Sequence, residues 1–350
     1  PELLRAHLPT ARLRQLLDAF PDLQIGVLGD FFLDAYFDCD PALDEPSLET
    51  GRNCYQVVRC RRQAGAAGTV AANLRALGVG RVPAVGFCGD DGEGLQLRRA
   101  MAGLGLELGG FVTCPERFTP MYGKPTYVRR RGRRLEVVQE LERLDIKNRR
   151  RTPAWVQEAI ATHLRAHAAN WHGVIVVDQV SEPGCGVITP RVRQLVNGWL
   201  AQLDPLVVLA DSRARLGLFR HVILKPNQAE AERLRAAAPP VRSPELALAL
   251  ARRSRRPLFL TLGAAGLVAA WGGDARLVPA VAVPPPVDPV GAGDTTSAAL
   301  VATLAAGGTP LEAALLAVLA ASITVQQLGT TGTASPGQLR RRHQEVLDAR

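Results

Sequence analysis

Asp288-Pro289-Val290-Gly291-Ala292-Gly293-Asp294-Thr295-Thr296 follows three prolines at 284–286 and opens a helix of small residues over 297–306. Gly-Ala-Gly at a helix start leaves the first backbone N–H groups unobstructed, and the helix dipole adds positive potential there. Such an end accepts a phosphate or a developing anion. Asp294 then places a carboxylate in the first turn, where it would repel that anion. A base that takes a proton from an attacking hydroxyl would give the pairing a purpose. The plainer alternative is that Asp294 only favours the helix electrostatically and the glycines only shape a tight turn.

Outward from this stretch, short apolar runs recur at 24–30, 82–88, 173–178, 206–211, 222–225 and 258–262. Helical patterns lie before and between them, at 10–20, 68–78, 92–105, 153–168, 190–203, 227–237 and 243–253, and a last, Arg-rich one covers 336–349. Alternating β and α segments with strands apolar throughout predict an α/β fold, a doubly wound, mostly parallel sheet with helices on both faces. Ligands of such sheets bind beyond the carboxyl ends of the strands. Asp30, Asp178 and Asp211 fall at three such ends, where each also reads as a turn former or cap. Two stretches, about 36–62 and 110–140, break the rhythm and read as hairpin or edge-strand material, a small second sheet set on the first. No repeat or long linker divides the chain, so 1–350 reads as one domain with those two segments inserted.

Composition narrows the function classes. Hydrophobic residues make up 47% and charged residues 21%, ordinary for a soluble globular chain. No apolar run is long enough for a transmembrane helix, so no membrane partner and a cytoplasmic location are expected. The formal charge is +9, from 42 basic and 33 acidic residues, and only three of the basic ones are lysines: Lys124, Lys147 and Lys225. No helix-turn-helix, zinc-finger or aromatic-interleaved basic motif accompanies the arginines, so a nucleic-acid partner is not expected. A pocket for an anionic small molecule would use them equally well. The cysteines (Cys39, Cys54, Cys60, Cys88, Cys114 and Cys185) form no C-x-x-C and read as reduced thiols. His163, His167 and His172 lack a neighbouring carboxylate ligand and read as surface rather than metal-binding. Gly123-Lys124-Pro125 is not a Walker A loop.

The 288–294 stretch, together with further motifs in order, resembles the ribokinase (phosphofructokinase-B type) family of carbohydrate kinases. Gly65-Ala66-Ala67-Gly68-Thr69-Val70-Ala71 is similar to that family's first signature, a Gly-Gly pair opening a helix. The run from Gly86 to Gly94, Pro226-Asn227-Gln228-Ala229-Glu230 and Thr261-Leu262-Gly263-Ala264-Ala265-Gly266 match three more of its motifs. The resemblance implies ATP and Mg²⁺ as cofactors and a sugar as acceptor. It implies Asp294 as the base for the sugar hydroxyl, and Gly291, Ala292 and Gly293 as the anion hole for the transferring phosphoryl group. Asn227 and Glu230 would organise Mg²⁺ through water, although Asn227 also reads as a helix N-cap. Thr261, Gly263 and Gly266 would line the nucleotide. Asp34, with Gly65, Ala66 and Thr69, would face the sugar. The two irregular stretches would be a β lid and a homodimer contact. Asp288 would lie near a monovalent cation.

Within the family, the order of pieces most resembles the kinase half of heptose-phosphate enzymes of the ADP-heptose pathway. The carriers are Thr119-Pro120-Met121-Tyr122-Gly123-Lys124, Arg143-Leu144-Asp145, Asp178 with the later Gly184, and Leu328-Gly329-Thr330. That implies an acceptor such as a heptose 7-phosphate, with Lys124, Arg129 and Arg143 as candidate phosphate contacts and Asp178 as a substrate contact. The chain departs from the pattern at Ala66, which replaces a Gly, and at Thr69, which replaces a sugar-contacting Asn and loses the amide's paired donor and acceptor. A kinase for a free sugar or nucleoside, and a non-catalytic binding protein on the same fold, remain the alternatives.

Overall fold

Along each inner strand, successive apolar side chains point to opposite faces. In the strand Ile25–Gly29, Ile25 and Val27 pack into one hydrophobic core and Leu28 into another. In Gly173–Asp178, Ile175 and Val177 go to the first core, and Val174 and Val176 to the second. Two cores on two faces explain why these strands carry no polar residue in their interiors. The computed structural model describes residues 1–132, 134–235 and 242–349.

The main sheet has nine strands. In spatial order they are Asp274–Val278, Leu267–Trp271, Leu258–Thr261, Ile223–Leu224, Val207–Ser212, Gly173–Asp178, Ile25–Gly29, Pro83–Gly89 and Glu107–Cys114. All pairings from Leu258–Thr261 to Glu107–Cys114 are parallel, and the first two strands add an antiparallel hairpin. The chain winds outward in both directions from Ile25–Gly29, so a topological switch point lies beside that strand's carboxyl end. Helix Ala292–Ala305 and helix Pro310–Thr324 are buried on nearly every side. Their lack of a polar face follows from that burial, and it is why periodicity alone did not mark 310–324.

A second sheet of five strands stands on the carboxyl ends of the first. Its order is Leu144–Ile146, Met121–Arg131, Phe31–Cys39 and Val57–Ala66, with Arg134–Glu140 pairing on Met121–Arg131. The lid boundaries read from sequence need correcting on both sides. Phe31–Cys39 enters the lid directly after Asp30, earlier than 36, because the main-sheet strand ends at Gly29. Conversely, Glu107–Cys114 belongs to the edge of the main sheet, where it pairs in parallel with Pro83–Gly89. Inside the lid, the fully buried Asp38 is held by Arg59 at 2.5 Å, by Arg61 at 3.2 Å and by Thr126 Oγ1 at 3.2 Å.

Candidate active site

The carboxyl ends of the parallel strands bring Asp211, Lys225 and Thr261 to one edge, and helix Ala292–Ala305 begins beside them. Gly291 caps this helix with φ +83°, a conformation that a side chain would strain. Ala292 N–H donates to Pro289 C=O at 3.1 Å, so its amide is already used. Among the described residues, no such bond is formed by the amides of Gly291, Gly293 and Asp294. Of the three residues read from sequence as an anion hole, Gly291, Ala292 and Gly293, only Ala292 has its amide engaged, and the amide of Asp294 is open beside the other two.

Asp294 is half-buried in the first turn. Its carboxyl is pushed up to about 7, first by burial and then by the charge of Asp211, against the pull of Lys225 and Arg213; Asp34 adds a further upward push. A carboxylate with that proton affinity is matched to taking a proton near neutral pH. Lys225 is buried, and its Nζ lies 2.9 Å from Asp211 Oδ2. Burial draws the ammonium's pKa down, but Asp211's charge and hydrogen bond outweigh it, with Asp294 and Glu230 acting the same way, so the group stays charged. A side chain at Gly293 would come within 3.7 Å of Lys225 Nζ, which places that ammonium beside the helix start. Neither Lys225 nor Asp211 was assigned to the site from sequence. Lys225 carries no periodic signal, although it is one of only three lysines in an arginine-rich chain.

The lid supplies the opposite wall. Asp34 is buried, and its Oδ1 lies 3.0 Å from Lys124 Nζ without forming a hydrogen bond of acceptable geometry. That oxygen is shielded from solvent and accepts no hydrogen bond within the described residues. Gly65 lies against it: an added Cβ would sit 2.6 Å from Asp34 Oδ2. Lys124 also donates to Tyr36 Oη at 3.3 Å. Thr69 is buried on the next helix, and its carbonyl accepts from Asn73 Nδ2 at 3.0 Å.

On the other side of the helix start, Asn227 is the N-cap of helix Gln228–Leu234 and forms a capping box with Glu230. Asn227 Oδ1 accepts from Glu230 N–H at 2.9 Å, and Glu230 Oε2 from Asn227 N–H at 2.9 Å. The N-cap role thus holds for Asn227, and Glu230 keeps a second oxygen for other partners. Thr261 bridges to Asn227, and the turn through Gly263 closes with Leu262 N–H donating to Gly266 C=O at 2.8 Å.

Other sequence candidates lie elsewhere or are engaged. Asp178 is buried in a two-pronged pair with Arg215, at 2.6 and 3.1 Å, and accepts from Ser212 Oγ at 2.7 Å. It is a structural ion pair here rather than an open substrate contact. Asp30 accepts the amides of Gln179, Val180 and Val187 at 2.7–3.0 Å and anchors that loop. Arg129 is exposed toward the end of the lid strand Met121–Arg131, five residues beyond Lys124 and opposite Glu136. Arg143 pairs with Asp145 at 2.9 Å and covers the Tyr122 ring at 4.5 Å. Asp288 spends its oxygens on Val290 N–H at 3.0 Å and Gly329 N–H at 3.4 Å. Among the described residues, no cluster of three His, Cys, Asp or Glu side chains is arranged to hold a metal, and no helix is long and apolar enough to cross a membrane.

Residues 202–336 match the pfkB family carbohydrate kinase. That stretch carries the match to the PfkB carbohydrate kinase family, and the chain has the ribokinase-like fold. It is 32% identical over 327 residues to the bifunctional protein HldE of Geotalea uraniireducens (strain Rf4), covering 89% of this chain and 61% of that protein. The chain thus spans about three fifths of the length of that relative. Phosphofructokinase-2 from Escherichia coli in complex with potassium superposes with a TM-score of 0.70 at 15% identity, over 93% of this chain and 99% of that one. Ribokinase from Thermotoga maritima superposes with a TM-score of 0.65 at 17% identity, over 93% and 99%. At those identities the two structures speak for the fold.

Proposed function

We propose that this chain transfers the γ-phosphoryl group of ATP to a hydroxyl of a sugar phosphate such as a heptose 7-phosphate, with Asp294 as general base. The observation that carries the reading is the juxtaposition at the start of helix Ala292–Ala305. Free amides of Gly291, Gly293 and Asp294 adjoin the Asp294 carboxyl, with the Lys225 ammonium behind them. The acceptor oxygen would attack the γ-phosphorus as its proton passes to Asp294. The bond from that phosphorus to the bridging oxygen breaks, and ADP leaves. The amides and Lys225 stabilise charge on the transferring group without reorganising, which is where most of the rate gain of such a site arises.

Glu230, with its second oxygen open and Asp211 near enough to act on its charge, suits Mg²⁺ held through water and nucleotide phosphates rather than by a protein cage. When bound, the ion would neutralise phosphate charge. Thr261 and the Gly263–Gly266 turn are the nucleotide wall. A monovalent cation near Asp288 would have to share the carboxylate with two backbone amides. Exposed Tyr55, Val57, Val58, Val137 and Val138 make the lid the candidate contact of a homodimer. The cytoplasm, where ATP and sugar phosphates meet, is the proposed location.

The second reading is an unphosphorylated acceptor. Arg129's exposure and Arg143's pairing with Asp145 favour it, since both were candidates for holding a phosphate. The test is ADP release from ATP across matched free and phosphorylated sugars, for the wild type and for Asp294→Asn. Acceptor-dependent ADP release that falls by about a thousandfold or more in the variant is expected; full activity in the variant would remove Asp294 as base.

A further inference from the structure

Lys147 and Arg213 line a single small cleft between the lid and the carboxyl ends of the main sheet. Lys147 directly follows the lid strand Leu144–Ile146, and Arg213 directly follows Val207–Ser212. One cation thus comes from each wall. Other cations at this end of the molecule have carboxylate partners: Lys124 with Asp34, Arg143 with Asp145, Arg215 with Asp178 and Lys225 with Asp211. Among the described residues, neither Lys147 nor Arg213 forms an ion pair. Glu182 also borders the cleft, and it lies 3.9 Å from Arg149.

The walls are set independently of any occupant. Asn148, buried next to Lys147, clamps the Phe118 backbone with both ends of its amide, at 3.0 and 2.6 Å. Gln179 and Val180, opposite, are tied through their amides to Asp30. Arg213's charge acts on the Asp294 carboxyl, and Tyr122, which lines the cleft, feels the same charge. Two unpaired cations on preset walls would recognise a dianion, and a guanidinium matches the oxygens of a phosphate ester.

We infer that Lys147 and Arg213 form the seat for a phosphate carried by the acceptor at the end away from its attacking hydroxyl. This rests on the kinase reading above and assigns the phosphate contact to residues other than Arg129 and Arg143. Seating an acceptor phosphate would also offset the Arg213 charge that opposes proton uptake by Asp294, so the acceptor would sharpen the base that activates it.

The test compares kcat/KM for heptose 7-phosphate and fructose 6-phosphate with that for the matching free sugars, in wild type, Lys147→Gln and Arg213→Gln. The ratio of phosphorylated to free acceptor should fall on the order of 10–100-fold in each variant, mainly through the acceptor KM. An unchanged ratio, or a loss confined to the KM for ATP, overturns the seat. Calorimetric titration of the same probes into Asp294→Asn protein, with and without Lys147→Gln, reads the preference without turnover. Equal affinity with and without Lys147 overturns the seat, and a weakened phosphate ester supports it. Retained activity in Asp294→Asn would count against Asp294 as the base instead and would leave the acceptor ratio readable.

Discussion

Asn73 Oδ1 accepts a hydrogen bond from Thr295 Oγ1 at 2.9 Å, inside the protein. Asn73 lies on the helix that follows the lid strand, and Thr295 is the residue after Asp294, so this bond fixes the first signature to the second. Both side chains are fully buried, and Asn73 Nδ2 is spent on Thr69 C=O at 3.0 Å. Thr295→Val should therefore leave the Asn73 oxygen unpaired and cost about 1–3 kcal/mol in urea unfolding. The double variant with Asn73→Leu should cost less than the sum of the two singles, and strict additivity would show that the bond carries no coupling.

The Asp294 carboxyl, pushed up to about 7, sets the direction of two pH effects. As a base it acts only when ionised, so kcat/KM should rise with pH to a plateau above about 7. Arg213 draws that value down, so Arg213→Gln should move the rise to higher pH. Stability runs the other way. The folded protein holds this proton more tightly than the unfolded chain, whose ordinary value is 3.8, so Asp294's contribution falls as pH rises from about 4 to about 7 and then levels. Asp294→Asn should be inactive yet melt higher than wild type at pH 8, and a lower melting temperature there would contradict the burial argument.

Local chemistry explains what was legible before the fold was known. The turn from Gly291 to Asp294 is legible because four neighbours in sequence build it, and the parallel sheet is announced by strands that are apolar throughout. What stayed hidden depends on distance along the chain. Asp178 looked open as a strand-end carboxylate, because its partner Arg215 lies far along the chain. Arg129 looked well placed by order, but the lid strand carries it outward past Lys124, with successive residues about 3.3 Å apart. Lys147 and Arg213 come from different sheets, and only the folded chain puts them in one cleft. The two-sided burial of Pro310–Thr324 removed the periodicity that reveals a helix.

Lys225 and Asp211 form a nearly dry pair whose charges both act on the Asp294 carboxyl. Removing one partner strands a buried charge. Lys225→Met should cost about 3–5 kcal/mol in chemical denaturation, whereas Lys225→Met with Asp211→Asn should recover much of it. The loss of the ammonium should also carry the rise in kcat/KM to higher pH, because Lys225 holds the Asp294 value down. A rise left in place would show that the ammonium and the base do not share a field.

The Asp178–Arg215 pair gives a contrasting expectation. If Asp178 served the substrate, Asp178→Asn would act on the acceptor KM. Held as it is by Arg215 and Ser212, it should instead cost about 3 kcal/mol of stability, with acceptor KM changing less than threefold in the folded fraction. Thermal melts and acceptor saturation curves on the same preparation separate the two.

Ala66 ends the lid strand with φ +53° and ψ −115°, backbone that a Cβ disfavours, directly before helix Ala67–Ala76. Held there on a non-glycine residue, such a conformation costs on the order of 1–3 kcal/mol. The strain persists because its neighbours over-determine it: Ala67 N–H donates to Asp30 C=O at 3.0 Å, and Gly65 is packed against Asp34. Ala66→Gly relieves the Cβ at the price of a more flexible unfolded chain, which offsets about 0.4–1 kcal/mol. The net should be a gain of about 1 kcal/mol in unfolding free energy, read from the urea midpoint at constant m-value. Since Gly65 and Asp34 adjoin the strained residue, the same substitution should loosen the sugar wall and raise the acceptor KM severalfold. A variant that is more stable and binds acceptor equally well would show that the strain at Ala66 has no part in positioning Asp34.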